Sequence, residues 1–186
     1  LHLCDQHLEH IKHDKITRHN LLADVCEAAK FEGESIKTHH PQYKLIYGDS
    51  QICTVLARSF ADIGDIVRGR DLYRGNNKEK EKLENNLKEI FKKIYDNLMV
   101  DLKNYPTKEL KGKERYKDDT DKNYYQLRED WWDANRETVW KAITCGHPGG
   151  KYFRATCGGR NSTNEKCRCA AGDVPTYFDY VPQYLR

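Results

Sequence analysis

Apolar residues recur every three or four positions between Cys53 and Asp71, and this period predicts a helix with one buried face, running from about Ser50 to Leu72. The apolar positions of this stretch are Ile52, Val55, Leu56, Phe60, Ile63, Ile66 and Val67. A glycine inside a helix costs about 1 kcal/mol relative to alanine, so we expect Gly64 to serve the close packing of a second helix. Arg58 and Asp62 lie four residues apart on the polar side, and this spacing predicts an ion pair.

Four more stretches carry helical patterns. Cys4 to Asp14 predicts a short helix, and Asn20 to Phe31 predicts a second helix that Gly33 ends. Residues 78–103 predict the longest helix, in which an apolar stripe lies opposite a face of alternating lysine and glutamate. A further helix is predicted from Asp121 to Thr144, where three tryptophans indicate an aromatic core.

The remaining stretches carry turn signals. His40 to Asp49 and Lys103 to Lys117 are predicted to be loops, and each of them contains a proline. Cys145 to Thr176 is predicted to be irregular, and Pro182 is typical of the first turn of another helix. Together the patterns predict an all-α fold, a disulfide-tied helical bundle with one Cys-rich irregular segment.

Composition narrows the class of protein. The chain has 186 residues, of which 33% are charged, and its mean hydropathy is −0.93, so we expect one buried core under a strongly polar surface. No apolar run approaches the length of a membrane span, and nothing at the start resembles a signal peptide. Because the chain starts abruptly at Leu1 and stops at Arg186 inside an apparent helix start, we expect it to be part of a longer protein.

The net charge of +3 is too small to indicate a nucleic-acid binder, but its distribution is uneven. Seven of the 32 Lys and Arg residues and ten of the 29 Asp and Glu residues lie in residues 1–66. The rest of the chain therefore holds 25 basic and 19 acidic residues, and the basic character lies there.

Known catalytic and metal-binding patterns are missing from the sequence. It contains no Gly-rich phosphate loop and no GxSxG or HExxH motif, so we expect neither an enzyme nor a cofactor. Histidines at positions 2, 7, 10, 13 and 19 lack a completing set of carboxylates or cysteines, and no metal site is predicted. Cys145 and His147 resemble a catalytic pair, but disulfide formation by the cysteine explains this arrangement better.

Seven cysteines are many for a cytosolic helical domain and indicate an exported, oxidised setting. They stand at positions 4, 26, 53, 145, 157, 167 and 169, and the odd count leaves at least one without a partner in the chain. The last four could be taken for zinc ligands, but they lack paired knuckle spacing, and a disulfide framework is preferred. The sequence alone leaves its connectivity open.

Three clusters of Lys and Arg are candidates for binding sulfated polysaccharide through charge-assisted hydrogen bonds and counterion release. The first cluster ends the central helix, the second spans residues 103–117, and the third lies in the Cys-rich segment. The candidate residues are Arg68, Arg70, Arg74, Lys103, Lys108, Lys111, Lys113, Arg115, Lys117, Lys151, Arg154, Arg160, Lys166 and Arg168. Ordinary solubilising charge explains any single cluster equally well.

Long blocks of the sequence carry a family resemblance. They are ARSFADIGDIVRG, LREDWWDANRETVWKAITC and VPTYFDYVPQYLR, with NLLADVCEAAKFEG upstream. In these blocks, and over essentially all 186 residues, the chain resembles the Duffy-binding-like alpha domain of Plasmodium falciparum erythrocyte membrane protein 1. The resemblance implies the end of subdomain 1 at about residues 1–20, subdomain 2 at 21–176, and the start of subdomain 3 at 177–186.

The parent proteins of that family are transmembrane adhesins on the surface of infected erythrocytes. The resemblance therefore implies a cell-adhesion module of a variant surface antigen that takes part in rosetting or cytoadherence. It implies host erythrocyte or endothelial surface receptors, heparan sulfate-type glycans and host antibodies as partners, no nucleic acid, and membrane attachment only through the parent protein. The alternative is a non-binding scaffold and antigenic-display segment that presents neighbouring adhesive domains, which near-balanced helix charges fit equally well.

The same resemblance implies one disulfide, between the cysteine that opens the central helix and the cysteine just before the closing helix. Here these are Cys53 and Cys169, with Cys167 as the alternative partner of Cys53. Closing a loop of this length is worth about 4 kcal/mol in the chain-entropy model. By the same analogy Cys4 pairs outside this chain. The pairing of the remaining cysteines, Cys26, Cys145, Cys157 and Cys167, stays open.

Overall fold

The computed structural model describes residues 18–47, 52–71, 77–117, 123–146 and 150–186, without the side chains of residues 18, 19, 40–47 and 77. The predicted helix Cys4–Asp14 and the side chains of the N-terminal histidines lie outside this part of the chain. Five α-helices are described: α1 (Arg18–Tyr47), α2 (Ile52–Arg68), α3 (Asn77–Leu102), α4 (Pro106–Arg115) and α5 (Tyr125–Ile143). Short 3₁₀ turns follow at Gly158–Arg160, Phe178–Tyr180 and Gln183–Leu185. These elements confirm the predicted all-α fold.

Helix α5 lies at the centre of the bundle, in contact with α1, α2 and α3. Trp132 and Trp140 are buried and pack on Phe60 of α2, with ring centroids 5.1 and 5.3 Å away. Trp131 packs edge-on against Phe91 of α3, with 6.2 Å between the ring centroids. The three tryptophans therefore join α5 to its neighbours, and they form the aromatic core that the sequence predicts.

Two glycines allow helices to cross at close range. A Cβ atom at Gly64 of α2 would lie 2.7 Å from the Trp132 ring, which confirms the predicted packing reason for this glycine. A Cβ atom at Gly33 of α1 would lie 2.1 Å from the carbonyl oxygen of Ile143, at the end of α5. The prediction that Gly33 ends its helix is wrong, because the missing side chain serves this crossing. Helix α1 continues to Tyr47, through most of the predicted 40–49 loop.

The predicted loop between Lys103 and Lys117 contains helix α4, which is a second correction. Pro106 occupies the first turn of α4, where its missing N–H costs no hydrogen bond. Glu109 and Lys113 form an ion pair one turn apart, with 2.6 Å between Oε1 and Nζ. Helix α4 buries none of its residues, so it has no apolar period from which a helix could be predicted.

The Cys-rich segment is irregular, as predicted, and among the described residues its only bridges are isolated, Gly150 with Lys166 and Cys157 with Asn161. Two disulfides hold it: Cys53–Cys167 and Cys157–Cys169. The expected Cys53–Cys169 bond is therefore wrong, and the alternative partner forms the bond to α2. Cys26 and Cys145 carry free thiols in the described part of the chain.

Contacts of the backbone at position 167 explain this pairing. Cys167 is fully buried, its N–H donates to the carbonyl of Gly150 at 3.1 Å, and its carbonyl accepts from Nε1 of Trp140 at 3.1 Å. These bonds place the Cys167 sulfur against the core at the first turn of α2. Cys169 lies two residues further along and closes the local loop to Cys157 instead.

Residues 177–186 lie against α2 and α5. Asp179 is buried, and its carboxylate accepts hydrogen bonds from Nε1 of Trp132 at 2.9 Å and from the guanidinium of Arg136 at 2.8 and 2.9 Å. The turn after Pro182 is the 3₁₀ turn Gln183–Leu185 within the described residues. Asp179 thus holds this segment to α5 with a fully paired charge.

Arg186 holds the same segment to α2. It bonds to Oδ1 of Asp62 at 2.9 Å and also contacts the carboxylate of Asp65. Asp62 therefore pairs with Arg186, and the predicted pair of Asp62 with Arg58 is wrong. Arg58 is left exposed on α2.

Candidate binding surfaces

Arg68 lies in the interior and is removed from the candidate glycan-binding residues. Its side chain has no exposed surface and donates to the Gly64 carbonyl at 2.9 Å, to the Asp65 carboxylate at 3.0 Å and to the Asp179 carbonyl. A guanidinium with these partners fastens the end of α2 to the C-terminal segment. Arg74, from the same cluster, lies outside the described residues.

Two other candidate cations are engaged by the protein itself. Arg70 is exposed, but its Nε lies 2.6 Å from Oε1 of Glu129. Arg168 donates to Oγ1 of Thr144 at 2.8 Å and to the carbonyl of Lys141 at 2.6 Å. Arg168 therefore fastens the Cys-rich segment to the end of α5 through its Nε and Nη2 donors.

The hairpin of α3 and α4 carries the second predicted cluster. Four of its lysines are exposed and make no ion pair with any described residue: Lys103, Lys108, Lys111 and Lys117. We call these four the hairpin surface. The ammonium of Lys108 lies over the exposed ring of Tyr105, 4.9 Å from its centroid, so an aromatic contact helps to hold it.

The other two cations of this hairpin are paired. The hydrogen bond to Glu109 raises the pKa of Lys113, and the two 2.6 Å hydrogen bonds to Asp130 raise the pKa of Arg115. The same contact from Arg115 lowers the pKa of Asp130. Each of these two cations is therefore held by a carboxylate of the domain itself.

The third cluster keeps four exposed cations: Lys151, Arg154, Arg160 and Lys166. We call these four the Cys-rich surface. The bridge between Gly150 and Lys166 places Lys151 and Lys166 on adjacent backbone segments. The Arg154 guanidinium lies over the ring of Phe153, 5.2 Å from its centroid, and 43% of Phe153 is exposed. An aromatic ring and several cations therefore share this surface.

Arg58 of α2 is exposed and forms no ion pair with a described carboxylate, although the sequence predicted one with Asp62. Burial raises the pKa of the Tyr152 hydroxyl, whereas its hydrogen bond to Thr176 and the positive charges of Arg154 and Arg58 oppose the rise.

Comparison with known proteins assigns the chain to a family. Residues 1–186 match the Duffy binding domain. The chain belongs to the Duffy binding domain family. One similar structure is the crystal structure of the NTS-DBL1(alpha-1) domain of the Plasmodium falciparum membrane protein 1 (PfEMP1) from the varO strain. The sequence identity is 40% and the TM-score is 0.76, and the match covers 99% of this chain and 40% of that one.

A second similar structure is the NTS-DBL1-alpha and CIDR-gamma double domain of PfEMP1 from the same Plasmodium falciparum strain. There the identity is 42% and the TM-score 0.76, over 99% of this chain and 25% of that one. This Duffy binding domain chain thus spans less than half the length of these solved relatives. No curated protein matches it.

Duffy binding domains of PfEMP1 are adhesion modules rather than enzymes, and they are extracellular parts of a surface membrane protein. Within the described residues of this Duffy binding domain, no three or more His, Cys, Asp or Glu side chains are grouped so as to hold a metal ion. Over the same residues, no helix combines the length and apolar character that crossing a membrane requires.

Proposed function

We propose that this domain is a cell-adhesion module of a variant surface antigen on infected erythrocytes, and that it binds sulfated glycans of the heparan sulfate type on host cells. One observation carries the proposal: the hairpin surface and the Cys-rich surface present cations that the described carboxylates do not pair. Lysine and arginine recognise sulfate through charge-assisted hydrogen bonds. The same proposal includes the subdomain limits that the family resemblance implies. These are the end of subdomain 1 at about residues 1–20, subdomain 2 at 21–176 and the start of subdomain 3 at 177–186.

The framework under the Cys-rich surface supports this function. Two disulfides anchor the segment, the N–H of Tyr152 donates to Oγ1 of Thr163 at 2.8 Å, and Nε1 of Trp140 donates to the Cys167 carbonyl. Cations on a fixed backbone lose less conformational freedom when a ligand binds, so more of the interaction energy becomes affinity. Basic loops on a rigid scaffold are a common location for binding sites.

A non-binding scaffold and antigenic-display role is the second candidate. It is favoured by the predicted cations whose donors the domain itself uses: Arg68, Arg70, Lys113, Arg115 and Arg168. Charges used in this way hold the bundle together and need no ligand.

The deciding experiment is retention of the oxidised domain on immobilised heparin across a salt gradient. One variant reverses the hairpin surface (K103E, K108E, K111E, K117E) and another reverses the Cys-rich surface (K151E, R154E, R160E, K166E). A control reverses four exposed lysines of α1 and α3 (K30E, K78E, K82E, K92E), so all three variants carry the same net charge. We expect at least one surface variant to elute at lower salt than the control.

The salt dependence gives a second readout. Fewer ionic contacts release fewer counterions, so the slope of log affinity against log salt should flatten in the variant whose surface binds. Wild-type elution near physiological salt, or an equal loss in the control, would contradict glycan binding at these surfaces and favour the display role.

A further inference from the structure

A cavity of about 360 Å³ is lined on one side by the C-terminal half of α5 and on the other by residues of the 164–172 stretch of the Cys-rich segment. This volume falls within the range of small-molecule sites, roughly 300–1,000 Å³. Trp140, Ala170 and Ala171 supply the apolar part of the lining. At Gly172 a Cβ atom would lie 2.8 Å from Oε1 of Glu137, and its φ of +92° also favours glycine. Small residues on the Cys-rich side therefore leave this space open.

Four polar side chains line the same cavity, and hydrogen bonds connect them. Nζ of Lys141 lies 2.5 Å from Oε1 of Glu137, and the Lys141 carbonyl accepts from Nη2 of Arg168 at 2.6 Å. Oδ1 of Asn164 accepts from the backbone N–H of Arg168 at 3.0 Å, and the Asn164 N–H donates to the Arg168 carbonyl at 2.7 Å. The group is thus held in place from both sides of the cavity. Only Arg168 belongs to a basic cluster of the sequence, so the fold alone shows that these four residues meet.

These side chains keep hydrogen-bonding capacity that no described residue uses. Because Oδ1 of Asn164 accepts two backbone N–H groups, its Nδ2 is turned away from them, and it has no acceptor among the described residues. Nη1 of Arg168 likewise has no acceptor there, since only Nε and Nη2 are bound to the end of α5. Lys141 and Glu137 neutralise each other, so Arg168 leaves the cavity with a net positive charge. Spare donors and one net positive charge favour an oxygen-rich ligand with one negative charge.

We infer that this cavity binds one uronate unit of an acidic polysaccharide. Arg168 and Lys141 bind the uronate carboxylate, Glu137 accepts hydrogen bonds from the sugar hydroxyls, and Asn164 donates to them. The inference rests on the proposed function, because glycans of the heparan sulfate type contain uronate units as well as sulfate groups. The backbone N–H of Lys166 donates to Oδ1 of Asn164 at 2.9 Å, so the cavity adjoins the Cys-rich surface. Uronate recognition in the cavity thus complements sulfate recognition by the exposed cations.

The test compares two probes that differ only in the carboxyl group. One probe is a heparin oligosaccharide, and the other is the same oligosaccharide with its carboxyl groups reduced to alcohols and its sulfate groups kept. Titration calorimetry measures the binding of both to the oxidised domain. We expect the wild type to bind the intact probe about tenfold more tightly, because the reduced probe loses the charge-assisted hydrogen bonds of the carboxylate.

Two variants locate this preference in the cavity. Ala171→Phe fills the space without changing the net charge, and Lys141→Gln removes a cation and leaves Glu137 to repel the carboxylate. Each should reduce the preference for the intact probe to less than about threefold. The matched controls are Ala23→Phe on α1 and Lys92→Gln on α3, both at exposed positions, and they should keep the wild-type preference. Circular dichroism checks that each variant is folded.

The outcomes separate this inference from the proposed function. If the wild type binds both probes equally, the uronate inference is wrong, while the proposed function stands on sulfate contacts. If the wild type binds neither probe, both fail. If the wild type prefers the intact probe and the folded Ala171→Phe and Lys141→Gln variants keep that preference in full, the carboxylate is recognised elsewhere and the cavity assignment is wrong.

Discussion

At Gly33, a hydrogen atom in place of a side chain decides whether α1 and α5 can cross. Gly33→Ala would place a Cβ atom 2.1 Å from the Ile143 carbonyl oxygen, and backbone cannot move aside as the end of a flexible side chain can. We expect this substitution to lower the free energy of unfolding by about 1–3 kcal/mol or more, measured by urea denaturation.

Gly112→Ala on α4 is the matched control for that substitution. Its Cβ atom would meet only the ends of the Leu102 and Met99 side chains, at 3.2 Å. Because alanine is the better helix former, we expect little change or a gain of up to about 1 kcal/mol. Equal losses at both glycines would show that α1 and α5 do not cross as described.

Asp62 is the residue whose ionisation should be visible in the stability of the protein. Burial raises its pKa from 3.8 to about 6, although the positive charge of Arg186 opposes the rise. The folded protein therefore holds the Asp62 proton more tightly than the unfolded chain does. The stability from this group is fully present below about pH 4 and is lost as the pH rises through about 6.

Asp62→Asn removes this titration. We expect the free energy of unfolding of the wild type, minus that of the variant, to increase as the pH falls from about 7 to about 5. Burial also raises the pKa of Asp65, but that residue is present in both proteins and its contribution largely cancels. Urea denaturation at several pH values checks the prediction, with Asp96→Asn on the exposed face of α3 as control. A difference that does not change with pH would contradict it.

On the scale of whole elements, Arg128 joins α5 to two other helices. Its side chain is buried and donates to the carbonyls of Val67 at 2.6 Å and Ile66 at 3.1 Å, at the end of α2. It also bonds to both carboxylate oxygens of Glu84 on α3, at 2.6 and 3.0 Å. One side chain thus satisfies terminal carbonyls of one helix and a carboxylate of another.

Arg128→Met should therefore be among the more damaging substitutions in the bundle. It leaves the partly exposed Glu84 carboxylate and the buried Val67 carbonyl without the Arg128 donor, whereas the Ile66 carbonyl keeps the N–H of Gly69 at 3.1 Å, so we expect a loss of about 1–3 kcal/mol. Urea denaturation measures the loss. Arg115→Met removes an exposed pair with Asp130 and should change stability little. The double variant of Arg128→Met with Glu84→Gln should recover part of the loss, and no recovery would mean that the carboxylate is not the main cost.

The helices that could be predicted from the sequence are those that bury an apolar face. Helices α2, α3 and α5 begin and end within a few residues of their predicted limits, because burial imposes the three-to-four residue period. Helix α4 buries none of its residues and begins at a local signal, Pro106 in its first turn. Its sequence therefore has no apolar period, and a prediction from periodicity does not find it. Gly33 looks like a helix end, because only the tertiary crossing shows why a glycine is needed there.

Across the whole molecule, the binding surfaces could be predicted only as clusters of charge. Arg68 and Arg70 are two residues apart, yet the first is buried in the interior and the second is exposed. Arg68 is buried because the folded protein places the Asp179 carbonyl and the Glu129 carboxylate next to its guanidinium, and neither contact is visible in the sequence. The Cys-rich surface is fastened to α2 by the bond between Cys53 and Cys167, which lie 114 positions apart, and the sequence alone left this pairing open.

The disulfide connectivity can be checked directly. Arg168 separates Cys167 from Cys169, and trypsin cleaves after arginine, so a non-reducing digest distinguishes the two cysteines. We expect mass spectrometry to find the Cys53 peptide linked to the Cys167 peptide. A Cys53–Cys169 linkage would contradict the structure and restore the pairing implied by the family resemblance.

The two disulfides should also differ in what they stabilise. The Cys53–Cys167 bond closes a loop with a sequence separation of 114, whereas the separation for Cys157–Cys169 is 12. In the chain-entropy model the longer loop is worth about 1–2 kcal/mol more, so replacing Cys53 and Cys167 by alanine should lower the free energy of unfolding more than replacing the other pair.

The longer disulfide also anchors the Cys-rich surface to α2, which gives its removal a second consequence. Under conditions where the Cys53/Cys167 alanine variant remains folded by circular dichroism, its heparin affinity should fall toward that of the variant with the reversed Cys-rich surface. The Cys157/Cys169 variant keeps the α2 anchor, so it should retain more of the affinity. If both variants bind heparin like the wild type while remaining folded, the disulfide stabilises the bundle without positioning the cations of the Cys-rich surface.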